Sequence, residues 1–294
     1  MKTIRRSYPM VLFFALLAGT YAYAEVEVSG PLRSVVLMPR GELKVILPQG
    51  ASPITGMSEI LVKTEDGNWK ARALEQPGMY PVKLQHNGVD DIVLKVIVLE
   101  PFDAQNSTQL NNYEIGSYPS EPFKGLEQYR SPPGLIRISE SQLSESLTPH
   151  VRVSDVICKQ ASGFPKYIYI TNEALTMLEQ LLTFVNDNGI TTERFSFISG
   201  YRTPYYNRSI GNGRHSRHQY GDAFDLYVDN DKDGRMDDLN GDGKLTVDDV
   251  AILYGVFEQF MKQSGYVGGL GRYRPTSNHG GFVHIDIRGY RARW

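Results

Sequence analysis

The sequence predicts an α+β protein in which a small all-β, sandwich-like domain precedes a mixed domain of strands and helices. Three observations lead there. Residues 25–100 hold short β-rich runs broken by turn signals, and no stretch among them keeps a helical period for three turns. A helical period appears at 171–189 and again at 248–262. Short β-rich runs at 195–200, 222–228 and 281–289 lie around those two segments.

In chain order, residues 1–24 read as a cleavable secretory signal. Lys2, Arg5 and Arg6 give a basic start, residues 10–18 form an apolar run too short to span a bilayer, and Ala22 and Ala24 sit two apart where signal peptidase cuts. No later run reaches the length of a transmembrane helix, so the expected product is exported, periplasmic or extracellular, and soluble. Strands follow at 26–28, 33–38, 42–47 and 92–99, with turns at Pro39-Arg40-Gly41, Pro48-Gln49-Gly50, Asp66-Gly67-Asn68 and Asn87-Gly88. Residues 101–145 are rich in Pro, Ser, Asn and Gly, which suits a linker or an extended arm on a surface. The segment 146–294 is the second domain. In its first helix Leu175, Leu178, Leu182 and Val185 fall on one stripe, Thr171 or Asn172 caps the start, and Gly189 suits the left-handed stop.

The composition excludes several classes. With 31 Lys+Arg against 33 Asp+Glu and no long basic run, nothing favours nucleic acid. One cysteine, Cys158, forbids an intramolecular disulfide even in an oxidising compartment, and its apolar setting suits a buried hydrophobe. Stability must come from burial or from metals.

The chemistry gathers late in the chain. In residues 216–225, Ala223 and Asp225 point the same way on a strand, and Gly221 lets the chain turn so that His218 faces Asp225. In residues 281–289, Phe282, His284 and Asp286 share one strand face. Two imidazoles and a carboxylate form an open zinc site, the arrangement that leaves a fourth position for water. Either segment alone is weak evidence, because a His near an Asp is usually an ordinary hydrogen-bonded pair.

Taken in order, SGYRTPYYN (199–207), SRHQYGDAFD (216–225) and FVHID (282–286) resemble peptidase family M15. These are the D-alanyl-D-alanine carboxypeptidases and related murein endopeptidases, and the last 27 or so residues are similar to the M15A-like endopeptidases in particular. The resemblance spans roughly residues 145–294. It implies the hedgehog/DD-peptidase zinc fold, an antiparallel sheet with helices, and zinc held by His218, Asp225 and His284. It also implies that Arg202 binds a substrate carboxylate, as a planar bidentate donor does well, and that Ser216 helps orient the peptide. The expected activity is hydrolysis of D-amino-acid-containing bonds in peptidoglycan stem peptides or cross-links by zinc-activated water.

One departure concerns the base. Many relatives place a Glu three residues before the last zinc ligand, where this chain has Gly281. Asp286, on the face of His284, is a candidate for base or for support of the ligand, and His279, in a loop, is the other.

Residues 229–249 form an acidic insertion between the zinc segments. Asp238, Asn240, Asp242, the Lys244 carbonyl and Asp249 fall at positions 1, 3, 5, 7 and 12 of an EF-hand or dockerin-type calcium loop, with Gly243 at position 6. Asp229, Asp231 and Asp233 begin a second, overlapping copy. Structural calcium is expected there; the plain alternative is a solvated acidic loop. Two rival readings of the whole remain: a catalytically inactive peptidoglycan-binding or adhesion protein of the same fold, and a calcium-dependent module whose His and Asp residues are incidental.

Overall fold

The structure, a computed structural model, describes residues 25–28, 30, 32–54, 59–86, 89–277 and 279–294. The expected signal segment 1–24 and the turn at Asn87-Gly88 therefore lie outside the described residues.

Alternating apolar residues build the N-terminal part. Two four-stranded sheets face one another: Val26–Glu27, Glu42–Ile46, Trp69–Arg72 and Leu61–Lys63 in one, and Leu32–Leu37, Val89–Val98, Gly78–His86 and Ser52–Pro53 in the other. Val45, Leu43 and Ala71 from the first meet Val35, Leu94, Val82 and Leu84 from the second in a shared core. The strand Gly78–His86 escapes the sequence pattern because Pro81 interrupts it. That proline is tolerated because it is exposed where one side of the strand has no partner, the short strand Ser52–Pro53 reaching only Leu84 and Gln85.

The outer face of this sandwich joins the C-terminal core, where Val36, Ile97 and Leu99 pack among the same buried cluster as the helix Asn172–Asp187. Asn172 spans the junction like a strand: its side-chain oxygen accepts from Val36 N at 2.7 Å and its amide donates to Val36 O at 3.0 Å. Ser34 Oγ donates to Leu147 O, and Lys95 Nζ donates to Glu145 and to Ser146 O.

Residues 101–145 are not the surface connector that their composition predicts. Tyr113, Ile115, Tyr118, Tyr129, Leu135, Ile136 and Ile138 are all buried, and Gly134–Ile138 is the middle strand between Lys166–Ile168 and Glu100–Pro101. The prolines and serines mark the turns, while widely spaced Tyr, Leu and Ile supply the burial that windowed composition averages away.

The C-terminal sheet runs Ser196–Ser199, Ala223–Tyr227, Phe282–Asp286, Gly269–Tyr273, Ala292–Arg293, antiparallel until the last pair. The helices Asn172–Asp187 and Val247–Gln263 cover it, with Leu175, Leu178, Leu182 and Val185 buried as the stripe predicts. The strand Gly269–Tyr273 has no apolar alternation to announce it, because glycine is needed for close approach: a Cβ at Gly271 would lie 2.3 Å from Trp294 Nε1. Among the described residues no helix is long and apolar enough to cross a membrane.

Candidate metal centre

Strand register brings the two chemical segments together. Asp225 sits opposite His284 in the antiparallel pair Ala223–Tyr227 and Phe282–Asp286, so residues 59 apart in sequence become neighbours. His218 enters from the short helical turn Arg217–Tyr220, which Gly221 ends at φ +71°; a Cβ there would lie 2.6 Å from Tyr169 O. His218, Asp225 and His284 are 2%, 3% and 5% exposed, so charge placed among them is poorly screened.

Three donor atoms converge. Asp225 Oδ1 is 2.8 Å from His284 Nδ1 and 3.3 Å from His218 Nε2, and the two ring nitrogens are 3.2 Å apart. Ligand atoms at about 2.0–2.1 Å from a tetrahedral zinc ion are separated by roughly 3.3 Å, so the donor triangle fits that ion with little adjustment. The remaining ring nitrogens are occupied: His218 Nδ1 donates to Gly200 O at 2.7 Å and His284 Nε2 to Asp286 Oδ2 at 2.9 Å. These contacts fix the tautomers that leave both lone pairs facing Asp225.

Electrostatics favours a cation at the same point. Burial alone would lower the pKa of His284, but the hydrogen bonds and charges of Asp225 and Asp286 outweigh it and push it up to about 9. For His218 burial wins and the pKa falls. Burial opposes ionisation of Asp225, yet the two imidazoles hold its carboxyl well below the usual range.

Asp286 is committed elsewhere. It is fully buried, accepts from Gly269 N at 2.9 Å and from Arg288 Nε at 2.8 Å, and lies beyond His284, on the side away from the donor triangle. Against the cost of burial, Arg288 and His284 hold it ionised far below the normal carboxylate range. A carboxylate with those partners is a weak proton acceptor, so the geometry corrects the expectation of Asp286 as base. His279 is half-buried on the loop before this strand; its Nδ1 bonds Gly280 O at 2.8 Å, and its ring meets Phe282 edge-on at 5.1 Å. Phe282 stacks on Tyr273, whose hydroxyl accepts from Trp294 Nε1, and the Trp294 ring lies 5.2 Å from His284. His279 thus lies on the face that carries His284, though the structure gives it no bond to a member of the triangle.

Arg202 does join the cluster, but as a partner of the carboxylate. Its Nη2 donates to Asp225 Oδ2 at 2.5 Å and its Nε to Ser199 Oγ at 2.7 Å, with only 12% of the side chain exposed. Those bonds use Nε and Nη2, and none of the described bonds uses Nη1, so donors remain for the substrate carboxylate that the sequence reading assigns to this arginine. Ser216 precedes the turn of His218, and its hydroxyl makes no capping bond.

Sequence reasoning missed the groups beneath the site. Arg217 is 2% exposed, pairs with Asp222 through two nitrogens, donates to Gln128 O at 2.7 Å, and lies 4.1 Å from the Tyr129 ring and 4.6 Å from the Tyr220 ring. Its place beside His218 was visible, but its burial was not.

The acidic insertion is arranged differently from the predicted loops. Asp229 and Asp231 group with Asp237, at the spacing a cation needs, whereas Asp233 accepts from Arg235 N. Asp238 receives Gly241 N, Asp242 N and Gly243 N; Asn240 accepts from Asp242 N, and Asp242 from Lys244 N. Asp249 is corrected as a calcium ligand: it is fully buried, Oδ1 accepts from Leu239 N, and Oδ2 accepts from Thr246 N as half of the capping box of Val247–Gln263.

Residues 154–241 match the family model described as Peptidase M15. Over that segment the chain is similar to peptidase M15. The match contains Arg202, His218 and Asp225 and ends before His284, which the sheet register brings to the same cluster. A comparison with curated proteins found no match. M15 peptidases are zinc-dependent hydrolases, and the His218, Asp225, His284 group is one that can hold a metal ion.

Proposed function

We propose that the protein is an exported zinc metallopeptidase acting on peptidoglycan stem peptides or their cross-links. The observation that carries this reading is the convergence of His218 Nε2, Asp225 Oδ1 and His284 Nδ1, with the second nitrogen of each imidazole fixed by a separate acceptor. Zinc held by these three residues supplies Lewis acidity to water and to a peptide carbonyl. The protein's own groups do the rest. Asp286 orients His284, and Arg202 and Ser199 hold the second oxygen of Asp225 away from the donor triangle. His279, whose Nε2 has no described protein partner, is assigned the proton transfer. Ser216 remains the proposed contact for the peptide.

Incubating the metal-loaded protein with purified muropeptides, with His284→Ala as control, tests the reading by product mass. Loss of a D-alanine or opening of a dimer only with the wild type supports it and names the bond.

A second reading, a peptidoglycan-binding or adhesion protein without catalysis, draws on Gly281. A Cβ there would lie 2.4 Å from Val250 Cγ2, so the Glu seen in many relatives would require Val250 of the helix Val247–Gln263 to shift. Retention of muropeptides at unchanged mass by the zinc-loaded protein would favour it.

The acidic insertion is read as a calcium-binding loop supported by the Asp229, Asp231, Asp237 group and the cradle around Asp238. Absence of binding heat at millimolar calcium would remove calcium from the reading.

A further inference from the structure

Strand register extends the metal centre onto a third strand. Gly271 of Gly269–Tyr273 sits opposite His284 on one side as Asp225 does on the other, so the three positions form a row on one face of the sheet. Gly271 has no side chain to place there, and the indole of Trp294 takes the space: a Cβ at Gly271 would lie 2.3 Å from Trp294 Nε1. The row therefore runs Asp225, His284, Trp294, with the indole centre 5.2 Å from that of the His284 ring. Tyr273 and Phe282, stacked at 4.5 Å, continue the aromatic surface along the same face.

The indole is held from several sides. Trp294 N donates to Leu270 O at 3.2 Å, its carbonyl accepts from Arg272 N at 3.0 Å, Nε1 donates to Tyr273 Oη at 2.7 Å, and the Arg288 guanidinium lies 4.9 Å from the ring. Yet Trp294 is 47% exposed and belongs to neither buried apolar cluster. Core packing therefore does not account for a large apolar ring that is fixed in place and left open beside a buried metal-binding group.

We propose that Trp294 is a substrate-binding residue whose indole receives the apolar side chain of the peptide residue next to the scissile bond. The inference rests on the peptidase reading above. Successive Cα atoms of a peptide are 3.8 Å apart, so a carbonyl delivered to the donor triangle brings the side chain beside it within reach of a ring this close to His284. Contact with that side chain removes water from an exposed indole, and the gain grows with the apolar surface the substrate offers.

The chain has two tryptophans, so Trp69→Phe leaves Trp294 as the one indole whose emission is read. Zinc-loaded Trp69→Phe is mixed with a sugar-free stem pentapeptide ending in two D-alanines, with its disaccharide-linked form, and with analogues carrying glycine in place of either D-alanine. A saturable blue shift is expected with the sugar-free peptide, with affinity about fourfold weaker when the contacted methyl group is absent. In cleavage assays Trp294→Ala is expected to raise KM about tenfold, with kcat and zinc stoichiometry within about twofold, and Trp294→Phe to restore most of the loss. The glycine penalty should disappear in Trp294→Ala. The proposal is overturned by a shift that is absent or that needs the sugar, by an unchanged KM or lost zinc in Trp294→Ala, or by an equal glycine penalty in both proteins. If the wild type cleaves none of the peptides, the peptidase reading fails, and the fluorescence affinities for the alanine and glycine peptides then decide the Trp294 proposal on their own.

Discussion

At the scale of single residues, the site is governed by which atom of each side chain is already occupied. Asp286 shows this best, since its bonds to Arg288 and Gly269 leave it to orient His284 and nothing else. Asp286→Asn is therefore expected to lower zinc affinity about 10- to 100-fold in a chelator competition, because the lock on the tautomer is weakened. His279→Ala should retain zinc and lose about 10²- to 10⁴-fold in kcat. Full activity in both variants would remove these assignments. The metal-free protein carries a pH signature as well. His284 has its pKa raised to about 9, above the roughly 6.5 of an unfolded chain, so its stabilising contribution is complete below about pH 6.5 and is lost as pH rises through 9. The melting temperature of the metal-free protein should fall over that interval while zinc affinity rises, since zinc then displaces fewer protons. A flat melting profile across it would contradict the charge assignment. Most of these residue types and spacings were legible in the sequence. The direction of each lone pair was not, because it depends on acceptors such as Gly200 O that no motif encodes.

At the scale of elements, two short segments do more than their composition suggests. The turn Arg217–Tyr220 carries His218 and, through Arg217, ties the preceding arm to the site. Arg217→Ala would leave Asp222 buried and unpaired, and burial already pushes the pKa of that carboxyl up to about 6. A loss of about 3–5 kcal/mol in urea unfolding is expected. The acidic insertion is the second case. Loop spacing correctly pointed to a dense carboxylate cluster, but it gave Asp249 to a cation when the helix start at Thr246 claims it. Asp249→Ala should cost about 1 kcal/mol through the lost cap, with calcium present or absent. A loss seen only with calcium would return Asp249 to the ligand set.

At the scale of the whole molecule, the β-sandwich and the C-terminal α+β part share buried surface through Val36, Ile97 and Leu99 and hydrogen bonds through Asn172. Asn172→Ala leaves Val36 N and O without their buried partners, at a cost of about 1–3 kcal/mol, and the two parts should still unfold in one calorimetric transition. Two separated transitions in the wild type would show that the junction is not cooperative. By itself the sequence determined what short-range pattern encodes: the two long helices, the β-rich start, the residue types of the metal centre and the turn at Gly221. The tertiary structure decided what depends on residues far apart in the chain. It packed the arm at 101–145 into the core, set Asp225 opposite His284, joined Arg202 to Asp225, and set the Val250 side chain against position 281. The physical reason is that periodicity fixes which face of an element is apolar, whereas strand register and packing fix which polar atoms meet, and chemistry depends on the latter.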